Sequence, residues 1–109
     1  MSKLSETISS LIESGQVRIS EHGYDELAED GLTARELLAS VSDAVLVEEY
    51  PNYPKGPCVL LLQRGCKEEP IHAVWGIPKG CEQPAVLVTA YRPDPENWDE
   101  QFLRRRKET

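Results

Sequence analysis

The chain has 109 residues, which is enough for one domain over residues 1–109 and too few for two. Its net charge of −7 disfavours non-specific binding to nucleic acid. Such binding is driven largely by the counterions that leave the phosphates when basic residues neutralise them. The longest apolar run, residues 59–62, is too short to cross a bilayer, and residues 1–15 lack the apolar stretch of a secretory signal, so we expect a cytoplasmic protein without membrane contact.

The first part of the chain has the patterns of helices. Apolar residues recur at i, i+4, i+7 and i+8 over residues 3–14, which predicts a first helix. Residues 17–19 alternate between apolar and polar side chains, as a short strand does. Ser20 is a natural N-cap for a second helix that ends near Gly31, and residues 33–36 form a capping box that opens a third helix.

From residue 44 onward the pattern is that of strands. Four apolar segments separated by turn residues predict strands over residues 44–49, 58–63, 71–77 and 85–92. Consecutive strands with short connections usually pair antiparallel, and helices that precede them can cover one face. We therefore expect an α+β fold in the order αβααββββ, with an antiparallel sheet of four to five strands and two or three helices packed on it.

The end of the chain is predicted to be a charged tail over residues 99–109. Pro93 and Pro95 end the last strand, and Trp98 is expected to hold the following residues against the sheet. The basic cluster at residues 104–107 is either a nucleic-acid contact or a solvated terminus.

Three cysteines, at positions 58, 66 and 81, make an odd number at irregular spacing. A disulfide framework would use an even set in an oxidising compartment. The close-spaced ligand pairs of structural zinc sites are absent from the sequence. We therefore predict free thiols, no metal and no cofactor.

His22 is the first candidate for chemistry. It stands in the first turn of the second predicted helix, beside Ser20 and Glu21, where a histidine can act as a general acid or base near neutral pH. The alternative is a capping or packing residue whose ring bonds a neighbouring carbonyl group.

The predicted strands supply the other candidates. His72 is available for chemistry if its face of the third strand is wet, and is a satisfied core residue if helices cover it. Thr89 and Tyr91 share one face of the fourth strand, while Arg92 points the other way. A tyrosine hydroxyl can bind phosphate or transfer a proton, and arginine clamps phosphate through its planar guanidinium, although a half-buried tyrosine and a surface arginine would look the same. Arg64, in the predicted hairpin turn, is a weaker candidate of the same kind.

Several short motifs resemble those of one known family. In chain order they are a strand with a Ser-x-His helix start at residues 17–27, Gly-Leu-Thr at 31–33, Val-Glu-Glu-Tyr-Pro at 47–51, Pro-Ile-His-Ala-Val at 70–74 and Val-Thr-Ala-Tyr-Arg-Pro-Asp at 88–94. Over residues 17–98 the chain is similar to the domain-of-unknown-function 4258 family. Members of that family resemble the small ribonuclease toxins of bacterial toxin–antitoxin systems, the RelE-like group that includes the motility quorum-sensing regulator toxin.

The resemblance implies a fold, an activity and partners. RelE-like toxins have an antiparallel sheet with two helices on one side, and they cleave messenger RNA without metal by helping a 2′-hydroxyl attack the adjacent phosphate. By that analogy His22 would be the general base or acid, Tyr91 would position the phosphate, and Arg92 or Arg64 would stabilise the developing charge. Arg64, His72 and Thr89 would lie with the substrate, the role of His72 being left open. The implied partners are RNA and an antitoxin of the zinc-finger type.

Two functions therefore stay open from the sequence. The first is a toxin-like endoribonuclease, or a degenerate relative, that acts through His22, Tyr91 and Arg92. The second is a non-enzymatic interaction module that binds a protein through an exposed strand edge or through residues 98–102, and the acidic charge favours it. No motif indicates a DNA contact or sets an oligomeric state.

Overall fold

The computed structural model describes residues 2–106. Its elements are α1 Lys3–Glu13, β1 Val17–Ile19, α2 Glu21–Glu29, α3 Ala34–Ser40, a 3₁₀ turn Val41–Asp43, β2 Val45–Tyr50, β3 Cys58–Arg64, β4 Pro70–Gly76 and β5 Ala85–Tyr91. The α+β class and the order αβααββββ are confirmed. Met1 and residues 107–109, which belong to the predicted domain and tail, lie outside the described residues. No helix within residues 2–106 is long and apolar enough to span a membrane.

Side-chain caps set the starts of the helices. Ser2, Ser20 and Thr33 each accept a hydrogen bond from the backbone N–H three residues further on, at 3.1, 3.0 and 3.2 Å. Gly15 and Gly31, with φ of +84° and +66°, follow the ends of α1 and α2 in the left-handed conformation that glycine adopts without a steric cost. The predicted N-caps at Ser20 and Thr33 are thus confirmed.

The five strands form one sheet in the order β1-β5-β4-β3-β2. The pairings β2–β3, β3–β4 and β4–β5 are antiparallel, as predicted. β1 instead runs parallel to β5, with Val17 opposite Ala85 and Ile19 opposite Leu87. The sheet is therefore mixed, and the prediction of an antiparallel sheet is wrong for this pairing. The adjacency rule behind that prediction applies to consecutive strands, whereas helices and three strands separate β1 from β5.

One face of the sheet packs against the three helices and forms the main core. Ile8, Leu27 and Leu37, one from each helix, are at most 2 % exposed and belong to the same apolar cluster as the sheet residues. Trp75 is fully buried and belongs to this cluster.

Gln63 is buried among these apolar side chains. Its Nε2–H group donates to the carbonyl of Leu37 at 2.7 Å and to the hydroxyl of Ser40 at 3.0 Å, and its Oε1 accepts from the indole N–H of Trp75 at 2.9 Å. The amide therefore ties β3 to α3 and to β4 while it satisfies two buried polar groups, the Leu37 carbonyl and the Trp75 N–H.

The opposite face of the sheet, which we call the tail face, carries a second buried layer. Leu60, Leu62 and His72 lie on it and are at most 5 % exposed. Residues 93–106, which we call the tail, cover the part of this face around His72, and Trp98 of the tail is 3 % exposed against His72. The expectation that Trp98 holds the tail against the sheet is met.

We expect Gln63→Met to lower the free energy of unfolding by about 2–5 kcal/mol. The substitution leaves the Trp75 N–H buried without its partner and leaves the Leu37 carbonyl with only the 3.5 Å bond from the Ser40 hydroxyl, and each unsatisfied buried group costs about 1–3 kcal/mol. Urea unfolding followed by circular dichroism measures the change. The control is Gln16→Met in the exposed α1–β1 turn, which should shift stability by less than about 0.5 kcal/mol. Equal stabilities for the two variants would contradict a stabilising role for the network.

Candidate functional site

His72 lies on the tail face, below the tail. Its ring is fully buried, with Nε2 2.8 Å from the carbonyl oxygen of Phe102 and Nδ1 3.4 Å from the hydroxyl of Tyr91. The ring meets Trp98 edge to face, with 4.4 Å between the ring centroids. His72 is therefore a satisfied buried residue, and its cover is the tail rather than the helices.

The partners of His72 determine its tautomer. A carbonyl oxygen can only accept, so Nε2 carries the hydrogen and donates to Phe102. Burial lowers the pKa of His72 and keeps the ring neutral, which leaves Nδ1 as an acceptor for the Tyr91 hydroxyl. Burial also raises the pKa of Tyr91, so the phenol stays protonated.

Arg105 closes the tail against β2. Its Nε and Nη2 donate to the two carboxylate oxygens of Glu48 at 3.1 and 3.0 Å, and its Cζ lies 4.7 Å from the centre of the Trp98 ring. The hydroxyl of Tyr50 donates to the same carboxylate. The hydrogen bonds from Arg105 hold the pKa of Glu48 below its usual value, while burial and the bond to Glu48 raise the pKa of Tyr50 to about 12.

A polar pocket of about 460 Å³ opens where the tail leaves β5. We call it the arginine pocket, and its lining residues are Tyr91, Arg92, Asp94, Asn97, Trp98, Arg105 and Arg106. Three of these seven residues are arginines, in a chain whose net charge is −7. The pocket therefore groups three guanidinium groups on an acidic protein, two of which have a carboxylate partner: Arg105 is paired with Glu48 and Arg92 with Glu69.

The arginines of the pocket are held in place and still keep free donors. Nε of Arg92 donates to the carbonyl of Asp30 at 2.9 Å, and its Nη1 lies 3.8 Å from the carboxylate of Glu69. Nε of Arg106 donates to the carbonyl of Pro95 at 2.9 Å. Since a guanidinium has five N–H donors, these bonds orient the side chains and leave donors for an anionic ligand.

His22 lies outside this pocket. It is exposed at the start of α2, with Nε2 3.2 Å from the carboxylate of Glu26. The next residue, Gly23, packs so closely on β5 that a Cβ there would lie 3.2 Å from the carbonyl oxygen of Leu87. Tyr91 is four residues further along β5, or about 13 Å at the usual rise of about 3.3 Å per residue. The structure does not bring His22 and Tyr91 into one pocket.

The other predicted residues are spread around the sheet. Thr89 is half-buried on β5, paired with Val74. Arg64 is exposed at the end of β3, where its Nη1 donates to the carbonyl of Glu68 at 3.4 Å, and it lines a groove beside α3. Tyr91 and Arg92 are thus the predicted residues that share the arginine pocket, with His72 directly behind Tyr91.

Two further lining residues, Asp94 and Asn97, were not predicted as parts of a site, and for Arg105 and Arg106 a nucleic-acid contact was one of two alternatives. The two arginines stood in the predicted basic cluster, of which Lys107 lies outside the described residues. The signal that could have placed them is the break at Pro93 and Pro95 before Trp98, since a docked tryptophan turns the chain back over the sheet.

One group of side chains has the donor atoms for a cation. Oxygen atoms of Glu36 and Glu69 and the sulfur of Cys66 lie within 4.8 Å of one another beside the β3–β4 turn. Cys66 is exposed, and Glu69 also accepts a hydrogen bond from the backbone N–H of Lys67 at 3.0 Å. Three ligands are one fewer than a structural zinc site uses.

A family model matches the part of the chain that forms most of the sheet. The family model described as Domain of unknown function (DUF4258) matches residues 19–92, about two-thirds of the chain. The chain belongs to this family. No curated protein and no solved structure matches it significantly. The DUF4258 match includes His22, His72, Tyr91 and Arg92 but ends before the tail, so the arginine pocket is built from the DUF4258 core on one side and from the tail on the other.

We expect the free energy of unfolding to fall as the pH is lowered from about 7.5 to about 5.5, because the pKa of His72 is lower in the folded chain than its unfolded value of about 6.5. Between the two pKa values the unfolded chain binds a proton that the folded chain does not. Stability therefore rises with pH, by at most about 1.4 kcal/mol per pH unit.

Urea unfolding at several pH values measures this dependence. The variant His72→Gln cannot titrate at that position and should lose the dependence in this window. The variant His22→Gln removes an exposed histidine instead and should keep it. The same pH dependence in His72→Gln as in the parent chain would overturn the assignment.

Proposed function

We propose that this protein is a toxin-like endoribonuclease domain that binds and cleaves RNA at the arginine pocket. The observation that carries the proposal is the grouping of Arg92, Arg105 and Arg106 around Tyr91 in one pocket. Guanidinium groups bind phosphodiesters through charge-assisted hydrogen bonds, and a phenol beside them can transfer a proton.

The distribution of charge supports RNA binding at this place. The chain has 19 acidic and 12 basic residues, so its surface as a whole repels a polyanion. The arginine pocket has three arginines and the carboxylate of Asp94. Arg92 and Arg105 are paired with Glu69 and Glu48 outside the lining, whereas Arg106 takes part in none of the ion pairs within residues 2–106. An RNA strand would therefore be attracted to the pocket and repelled by the acidic surface around it.

The proposed reaction is the attack of a 2′-hydroxyl on the adjacent phosphorus. The bond from the 2′-oxygen to phosphorus forms as the bond to the 5′-oxygen breaks, which gives a 2′,3′-cyclic phosphate and a free 5′-hydroxyl. Asp94 takes the 2′-proton as the base, and Tyr91, which its raised pKa keeps protonated, gives a proton to the leaving 5′-oxygen. The arginines stabilise the charge that develops on the phosphate oxygens.

The proposal keeps Arg92 in the role that the family resemblance implies, whereas Tyr91, which the resemblance makes the phosphate-positioning residue, becomes the proton donor. It leaves His22 and Arg64 out of the reaction, because neither lines the arginine pocket. His72 acts through Tyr91: in the free chain its Nδ1 accepts from the phenol and holds it in place, and in the reaction the O–H hydrogen turns from Nδ1 to the leaving 5′-oxygen, which makes His72 a positioning residue.

An antitoxin would act on the same pocket. A partner of the zinc-finger type that presents acidic side chains to Arg92 and Arg106 would neutralise the cationic surface and exclude RNA.

A second candidate function is a non-enzymatic interaction module. The observation that favours it is the edge strand β2, where the side chain of Val45 is 46 % exposed beside unpaired backbone groups. Trp98 does not offer such a surface, because it is buried against His72.

We expect the double variant Arg92→Gln/Arg106→Gln to bind a short single-stranded RNA more weakly than the parent chain. The slope of log K against log salt concentration should become shallower by about 1.4, because each lost contact to a single strand contributes about 0.7. Fluorescence anisotropy of a labelled RNA over a salt series measures both quantities.

The matched control is Arg18→Gln/Arg35→Gln, which removes the same charge from exposed positions outside the pocket. It should keep nearly the parent affinity and slope. An equal loss in the two double variants would show a general charge effect and would contradict a site at the arginine pocket.

We expect expression of the intact chain in a bacterium to produce new RNA ends that carry 2′,3′-cyclic phosphates and 5′-hydroxyls. Tyr91→Phe and Asp94→Asn should abolish these ends at equal protein level, since each removes a proton-transfer group, whereas His22→Ala should retain them. Sequencing of the mapped ends from each culture gives the result. Ends that persist in Tyr91→Phe but vanish in His22→Ala would move the reaction away from the arginine pocket, and RNA binding without any new ends would refute cleavage.

A further inference from the structure

A second cavity, of about 410 Å³, lies at the other end of β5 from the arginine pocket. We call it the Cys58 cavity. Its floor is the tail face of the sheet, where Cys58, Gly76 and Val86 are neighbours across β3, β4 and β5. Its volume is within the range of about 300–1,000 Å³ that small-molecule sites occupy.

The wall of the cavity is preformed. The β2–β3 loop is held against the end of β4 by backbone hydrogen bonds from Ile77 to Pro57 and from Lys79 to Lys55, each 3.0 Å long. Gly56 has φ of +132°, and a Cβ there would lie 2.0 Å from the carbonyl oxygen of Ile77, so glycine is needed for this close approach. A ligand would meet a wall that does not have to be ordered first.

The lining is apolar and partly aromatic. Tyr53 and Val88, which are 47 % and 36 % exposed, are among the large apolar side chains that the described chain leaves in contact with solvent, and both line this cavity. Burial raises the pKa of the Cys58 thiol, so the floor is uncharged. A planar apolar molecule could lie on Val86 and contact the ring of Tyr53.

The charged groups of the lining determine whether the cavity favours a positive or a negative ligand. No carboxylate lines the cavity within the described residues, although the chain has 19 acidic residues. Lys55 is exposed at the cavity and takes part in none of the ion pairs found over residues 2–106. His22 stands at the same rim with its Nε2 near Glu26. A negative group would therefore be attracted by Lys55 and not repelled by the lining itself.

We propose that the Cys58 cavity binds a small aromatic organic anion, with its planar body on the sheet and its negative group at Lys55. This site is separate from the arginine pocket and does not depend on the proposed ribonuclease activity. His22, which takes no part in the proposed ribonuclease reaction, lines this cavity.

The experiment compares two dyes that share one ring body. 1-Anilinonaphthalene-8-sulfonate is the anionic probe, and N-phenyl-1-naphthylamine is its analogue without the sulfonate. We expect Lys55→Met to weaken binding of the anionic dye by about threefold to fivefold, as loss of one exposed ion pair does, and to leave binding of the neutral dye unchanged. Val86→Phe fills the cavity and should weaken both dyes. The control, Lys67→Met in the β3–β4 turn, should alter neither.

The location is checked by amide chemical shifts of the folded, isotope-labelled chain. Addition of the anionic dye should shift the amide signals of Gly56, Gly76 and Val88. Shifts confined to other parts of the chain would overturn the proposal, as would equal loss of anionic-dye binding in Lys55→Met and Lys67→Met. If Val86→Phe does not fold, the Lys55→Met comparison and the shift map decide the question together.

Discussion

The hydrogen bond from Nε2–H of His72 to the carbonyl of Phe102 governs how the tail face of the sheet is covered. The helices cover one face only, and the other face carries Leu60 and Leu62, which water would otherwise reach. A buried imidazole N–H without an acceptor would be costly, so the tail is held where a carbonyl meets it. Phe102 has φ of +60°, an unfavourable conformation for a side chain of that size, and the bond to His72 offsets its cost.

The same contact helps to form the arginine pocket. Tyr91 and Arg92 stand at the end of the family core, whereas Arg105 and Arg106 belong to the tail, which Trp98 and the carbonyl of Phe102 hold at His72 and which the Arg105–Glu48 pair holds at β2. The pocket is therefore a property of this chain's tail as much as of its family. Binding of RNA and docking of the tail would be linked, since a ligand that bridges the two sides also stabilises the docked tail.

Local patterns predicted the elements well because caps, prolines and periodicity act over a few residues. The N-caps Ser20 and Thr33 and the strand β3 follow directly from them. The parallel pairing of β1 with β5 joins residues far apart in the sequence, and no local pattern indicates it. The family resemblance groups His22 with Tyr91, yet no local pattern tells which end of β5 each one meets. The acceptor of His72 lies 30 residues further along the chain, which also puts it beyond any local signal.

The two candidate sites share one element, α2, whose first turn borders the Cys58 cavity and whose C-cap, Asp30, bonds to Arg92 at the arginine pocket. A ligand at one end would affect the other end only if α2 had a second stable position. Gly23 argues against a position closer to β5, because a Cβ there would already lie 3.2 Å from the Leu87 carbonyl oxygen and from the Ile19 side chain, so movement towards β5 would tighten a close contact. The geometry therefore favours two energetically independent sites on one rigid helix.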